Sequence, residues 1–174
     1  MKKFLCIILP AITAIYSLCY ANFGGFIGNE SAMSKIGLEH PLLFAIWGLM
    51  TLASLGINLI IGFSKTKYRF YIALIAISAI GMMMTIIFDF DYSKHTEYML
   101  HCIGSMTFSL VTGITVFLLF LLTKKYIMMT ITCVLLLTDL ILLIIYKETA
   151  FIELMPIFAG YIILGYNNMR KEKN

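Results

Sequence analysis

The sequence predicts an all-α integral membrane protein: a six-transmembrane-helix bundle with both termini in the cytoplasm (N-in/C-in). Three observations predict it. The first is composition. Apolar residues make up 61% of the 174-residue chain and charged residues 13%, whereas soluble domains run near roughly 45–50% and about 25%. Mean hydropathy is +0.94. The second is six apolar runs, each close to the ~20 residues that cross a ~30 Å hydrocarbon core at ~1.5 Å per residue. The third is that charges are sorted by loop. This composition excludes a soluble enzyme, a secreted disulfide scaffold, a disordered chain and a nucleic-acid binder. The net charge of +4 follows from the sorting of the loops and calls for no nucleic-acid partner. Residues 1–174 read as a single polytopic membrane domain.

The runs are Phe4–Tyr20, Pro41–Phe63, Phe70–Phe88, Tyr98–Thr123, Ile127–Tyr146 and Ala150–Tyr166. The first and last are short, so they are expected to stand near the membrane normal or to extend into interfacial turns. The start, with Lys2 and Lys3 before an apolar stretch that ends in Cys19-Tyr20-Ala21, also fits a cleavable signal peptide. Five further spans favour the uncleaved helix. The connections are Ala21–His40, Ser64–Arg69, Asp89–Glu97, Lys124–Tyr126 and Lys147–Thr149. All but the first are tight, which makes successive helices antiparallel neighbours.

The basic residues set the orientation. Lys2, Lys3, Lys65, Lys67, Arg69, Lys124, Lys125, Arg170, Lys171 and Lys173 fall on one side, and only Lys35, Lys94 and Lys147 fall opposite. The positive-inside rule places the larger group in the cytoplasm. Glu30, Glu39, Asp89, Asp91, Glu97 and Glu148 fall in the outer loops, with Glu172 inside. Tyr20, Tyr68, Tyr71, Tyr92, Tyr98, Tyr126, Tyr146 and Tyr166 lie at or near run ends, as an interfacial aromatic belt requires. Lysine outnumbers arginine 11 to 2, a bias of AT-rich bacterial genomes, so the expected location is a bacterial plasma membrane. The cysteines Cys6, Cys19, Cys102 and Cys133 form no C-x-x-C pair and read as small apolar helix residues.

Polar side chains inside lipid should face other helices or a cavity. The first helix carries Pro10, Thr13, Ser17 and Tyr20 on one face, and the second Trp47, Thr51, Ser54 and Asn58. The fourth repeats His101, Ser105, Ser109 and Gly113, with Thr112 beside them; the sixth aligns Glu153, Pro156, Gly160 and Asn167. Close helix packing explains the small and hydroxyl members without a ligand.

The ionisable residues are candidates for a site. Asp139 lies about 10 Å inside the outer end of its helix by helical rise, where a carboxylate costs on the order of 2.5–3.5 kcal/mol. It is expected to face the bundle interior, with a protonated carboxyl bonded to Thr138 or a carbonyl as the purely structural alternative. Glu153 lies about one turn into the last helix and can snorkel to the surface. His40, His95 and His101 are all on the outer side, among Asp89, Asp91 and Glu97. The i,i+4 pairs Asp91/His95 and Glu97/His101 would share a cation if helical, and donors such as His95, His101 and Glu97 would suit zinc. No H-E-x-x-H, Walker loop, dinucleotide turn or G-x-S-x-G elbow occurs, so the sequence demands no cofactor.

The stretch Asn29–Gly37 running into Pro41–Phe44, with Met33-Ser34-Lys35-Ile36-Gly37 as its turn, resembles the first outer loop of a family of small bacterial six-helix membrane proteins of unknown function, related to the DRAM and Sfk-type group. Phe88-Asp89 (or Phe90-Asp91) and Leu100-His101 resemble that family's acidic residue after helix three and histidine at the start of helix four. The resemblance implies six helices and a role near membrane lipids, with no established catalytic chemistry.

Three functions follow as expectations. The leading one is a lipid- or amphiphile-handling protein whose outer pocket is built from Ser34, His40, Asp89, Asp91, His101 and Ser105, with Asp139 inside the bundle and Glu153 one turn into the last helix as further candidates. Its partner is membrane lipid. The second is a metal-dependent lipid hydrolase similar to the ceramidase-type superfamily, which carries H-x-x-x-H on a late helix; helices five and six here hold no histidine. The third is a substrate-capture subunit of a vitamin transporter, with Ala11, Ala14, Ser17 and Ala21 docking a partner protein's helix.

Overall fold

A computed structural model describes residues 2–28 and 31–170. Asn29, Glu30, Lys171, Glu172 and Lys173 lie outside the described residues, as do the side chains of Lys2 and Lys3, so their assigned sides of the membrane have no structural counterpart. Every regular element among the described residues is a helix: α1 (Lys2–Ala21), α2 (Met33–Glu39), α3 (Pro41–Phe63), α4 (Tyr71–Ile87), α5 (His95–Leu122), α6 (Tyr126–Tyr146) and α7 (Ala150–Met169). This is the expected result for an apolar chain, because a helix satisfies its own backbone where water is absent. Five helices, α1, α3, α5, α6 and α7, are long and apolar enough to cross a membrane. α4 has 17 residues, about 26 Å by helical rise, and is the shorter apolar helix.

The first connection is not a plain loop. It turns through Gly25 and Gly28, at φ +78° and +114°, where a side chain would strain the backbone, and then forms α2. His40 breaks α2 from α3 at φ −129°, ψ 61°, because Pro41 disfavours helical geometry in the residue before it. α2 then folds back against α3. A Cβ on Gly37 would stand 2.9 Å from Phe44 Cγ, so that approach needs a glycine. The fourth apolar run also starts earlier than expected, with His95 as the first residue of α5 rather than a loop residue.

The long helices and α4 alternate in direction. Lys125 donates to Asn167 and Asn168 donates to Asn58, which brings the α5–α6 turn and the ends of α3 and α7 together. Lys65, Lys67, Arg69, Lys124, Lys125 and Arg170 all follow or precede helix ends on this side. The opposite end gathers α2, the start of α5 and the start of α7. The closest crossing joins α4 to α5, where Gly81 and Gly104 place backbone on backbone. A Cβ on Gly81 would lie 2.7 Å from Phe108 N, and one on Gly104 would lie 2.7 Å from Gly81 O. α6 is peripheral; Thr132 is its one fully buried residue, and its outward face is almost wholly aliphatic.

Candidate functional site

Three of the polar faces legible in the sequence meet in one seam between α1, α3 and α7. Pro10 lacks the N–H that would bond the Cys6 carbonyl, and Asn58 Nδ2 donates to that carbonyl at 3.4 Å instead. Asn58 also donates to Ser54 O at 3.0 Å and accepts from Asn168 Nδ2 at its own Oδ1 and main-chain O. Asn167 donates to Asn168 Oδ1 and accepts from Lys125 Nζ at 2.6 Å. Above this amide layer, Ser54 and Thr13 share a 2.7 Å hydrogen bond, and Trp47 Nε1 donates to Ser17 Oγ at 3.0 Å. Thr13, Ser17, Thr51 and Ser54 are fully buried. In hydrocarbon such bonds hold helices together where the hydrophobic effect between them is weak.

The end of the seam away from the cationic turns is closed by α2, which is fastened from three helices. His101 on α5 is 2% exposed; its Nε2 lies 3.0 Å from Ser34 Oγ and its Nδ1 2.8 Å from Phe88 O. A carbonyl can only accept, so Nδ1 carries the proton, and the neutral ring's Nε2 accepts from the serine hydroxyl. Phe44 stacks on the ring at 6.0 Å and Phe90 packs at 5.1 Å. Glu153 on α7 accepts the Met33 N–H at 3.0 Å, and Tyr20 on α1 donates to Met33 O at 3.1 Å. Glu153 therefore does not snorkel outward. Its carboxylate is turned to the Met33 N–H at the buried start of α2. Ser31 adds a long contact, accepting from Ala150 N at 3.5 Å.

The other candidates disperse. The carboxylates of Asp89 and Asp91 do not bond His101: Asp89 pairs with Lys94 at 3.0 Å, and Asp91 accepts from Ser93 N–H and hydroxyl at 2.9 and 2.8 Å. Those bonds hold the Asp91 carboxyl below its ordinary value, while Asp89 and Glu97 push the Lys94 ammonium up. The proposed cation pairs do not form. Asp91 precedes α5, His95 is exposed, Glu97 sits on Lys94, and both His101 nitrogens are occupied. Among the described residues no three of His, Cys, Asp or Glu converge as metal ligands. His40 packs at a tilt against Phe23 at 4.7 Å, outside the cluster. Ser105 is half-buried and Ser109 exposed, each one residue, about 100°, around the helix from a buried position. Gly104, Phe108 and Thr112 take the buried face of α5 instead.

Asp139 is half-buried, with Oδ1 enclosed and unpartnered while Thr138 points outward. It sits one turn beyond Leu136, which packs on Gly113 of α5. Ser17 and Ala21, expected to dock a partner helix, are fully buried within the chain. Glu148, in the α6–α7 turn, is half-buried. Burial raises its carboxyl and Lys35 opposes the shift. A raised carboxyl favours the fold most fully below the ordinary value of 4.5, and that contribution is lost as pH climbs through the folded value.

Sequence reasoning missed Tyr161, Asn168 and Ser31. Asn168 was detectable, since adjacent asparagines at the end of an apolar helix are costly unless bonded. Tyr161 gave no signal, because a tyrosine in an apolar run reads equally as core.

No family model, characterised protein or solved structure matches this chain. The fold and the seam define its class by themselves: an all-helical protein with five helices long and apolar enough to cross a membrane, and a polar seam closed at one end by a short helix.

Proposed function

We propose that the protein handles a membrane lipid or small amphiphile at its outer end, with α2 as the cap over the α1–α3–α7 seam. The observation that carries this reading is the way α2 is held. It is buried yet fastened through a few hydrogen bonds from three helices, so it can be released without dismantling the bundle. The connection leading to it exposes Phe23 and Ile27, at 61% and 90%, an apolar approach at the level where acyl chains meet headgroups. The family resemblance in the first outer loop points the same way. We further read α4 as a sixth span and the basic end as cytoplasmic, in a bacterial plasma membrane, because the described cations gather at that end. The hydrolase reading draws no support from a histidine whose two nitrogens are occupied.

Reporter fusions test the orientation: Thr66 should read cytoplasmic and Lys94 external, and the reverse pattern overturns it. Native mass spectrometry of detergent-purified protein tests the ligand class. The expected spectrum retains a lipid- or amphiphile-sized mass. Bound zinc instead would favour the hydrolase and a bound vitamin the transporter subunit, and either would overturn the proposal.

A further inference from the structure

The two ends of the bundle differ in charge. At the α2 end Lys94 is held by Asp89 and Glu97. Among the described residues every Asp and Glu lies toward that end, with Asp139 nearest the middle. The other end carries Lys67, Arg69, Lys124 and Arg170, all exposed, and no described carboxylate stands beside them. They come from the α3–α4 connection, the α5–α6 turn and the end of α7.

Packing fixes these segments against one another. Lys125 Nζ donates to Asn167 at 2.6 Å, and Asn168 donates to Asn58. Leu119 fills the notch at Gly62, where a Cβ would stand 2.7 Å from its Cδ2. The ends of α3, α5 and α7 are thus drawn together with their positive charges, which repel one another. Exposed Tyr68, Phe70, Tyr126 and Tyr166 stand at the same helix ends, the position where aromatic rings meet lipid headgroups.

We infer that this end is a binding surface for phospholipids of net negative headgroup charge, which supply the counter-charge and hold the ends of α3, α5 and α7 together. Lysine and arginine lay their apolar stems along a helix end and place the charge at headgroup level. Anionic lipid attracts cations grouped there over about one Debye length. A zwitterionic headgroup carries its own ammonium and offers no net attraction. The surface lies at the opposite end from α2 and does not depend on what α2 covers.

The test compares full-length protein in neutral detergent with added phosphatidylglycerol or with phosphatidylcholine of the same chains. Phosphatidylglycerol should raise the thermal midpoint by several degrees more than phosphatidylcholine at low salt. The difference should vanish at about 1 M sodium chloride, where the screening length falls to ~3 Å. The joint variant Lys67→Gln, Arg69→Gln, Lys124→Gln and Arg170→Gln changes exposed side chains only. It should keep the midpoint found in phosphatidylcholine and lose the added rise. Lys94→Gln with Lys147→Gln, at the α2 end, should keep that rise. Equal midpoints in the two lipids overturn the inference, as does a rise that survives high salt or the joint variant, or one that disappears in the α2-end variant. If the joint variant fails to fold, each of the four single variants should remove part of the rise, and singles that all retain it in full overturn the inference. The same rise with inorganic phosphate in place of lipid would assign the surface to a free anion and overturn it too.

Discussion

Gly104→Ala should prevent α4 and α5 from closing, and Gly81→Ala should do the same from the other side. The added methyl would meet Gly81 O at 2.7 Å and Thr85 N at 2.8 Å in the first case, and Phe108 N at 2.7 Å in the second. These neighbours are backbone and cannot rotate away, so the helices must separate and every contact along the crossing weakens. Overpacking usually costs ~1–3 kcal/mol; a clash with two backbones belongs at the upper end, about 3 kcal/mol or more. Gly56→Ala is the matched control, since its Cβ would meet only Ile75 at 3.9 Å, and alanine suits a helix better than glycine. Thermal unfolding in detergent, with size-exclusion profiles, should show losses at 81 and 104 and none at 56. Equal behaviour of the three variants would refute the backbone contact.

His101→Ala is expected to be the most damaging change at the α2 end of the bundle. It strips the Phe88 carbonyl and the Ser34 hydroxyl of their partner and opens a hole between Phe44 and Phe90. Losing a buried ring of this size together with two buried bonds costs about 3 kcal/mol or more. His95→Ala, on an exposed first-turn residue, should stay within about 0.5 kcal/mol. His101→Gln offers a donor for Phe88 and an acceptor for Ser34, so it should recover part of the midpoint. If glutamine recovers both the midpoint and lipid retention in full, the histidine serves only to hold α2 in place.

The faces of α1 and α3 were legible because they are spent on helix contacts, and their period records that. Thr13, Ser17, Trp47, Ser54 and Asn58 recur at helical spacing and are buried together. The α5 stripe misled because two every-fourth rows lie side by side on that helix, and packing against α4 selects Gly104, Phe108 and Thr112 over Ser105 and Ser109. α2 was hidden because seven residues cannot show a period of their own, and Met33–Glu39 mixes Ser34, Lys35 and Glu39 with its apolar positions. Glu153 looked like a surface carboxylate because depth along one helix says nothing about what another segment brings to the same level.

The sequence by itself determined that this chain is helical, apolar and sorted by charge, since those properties come from composition and from spacing along one strand of chain. Which polar groups meet was decided only by the tertiary structure. Asn58 bonds the Cys6 carbonyl, 52 residues away, which Pro10 leaves free, and Glu153 takes the N–H of Met33, 120 residues distant. A hydrogen bond acts over about 3 Å, so its partner is fixed by how the helices pack, a property that no local pattern contains.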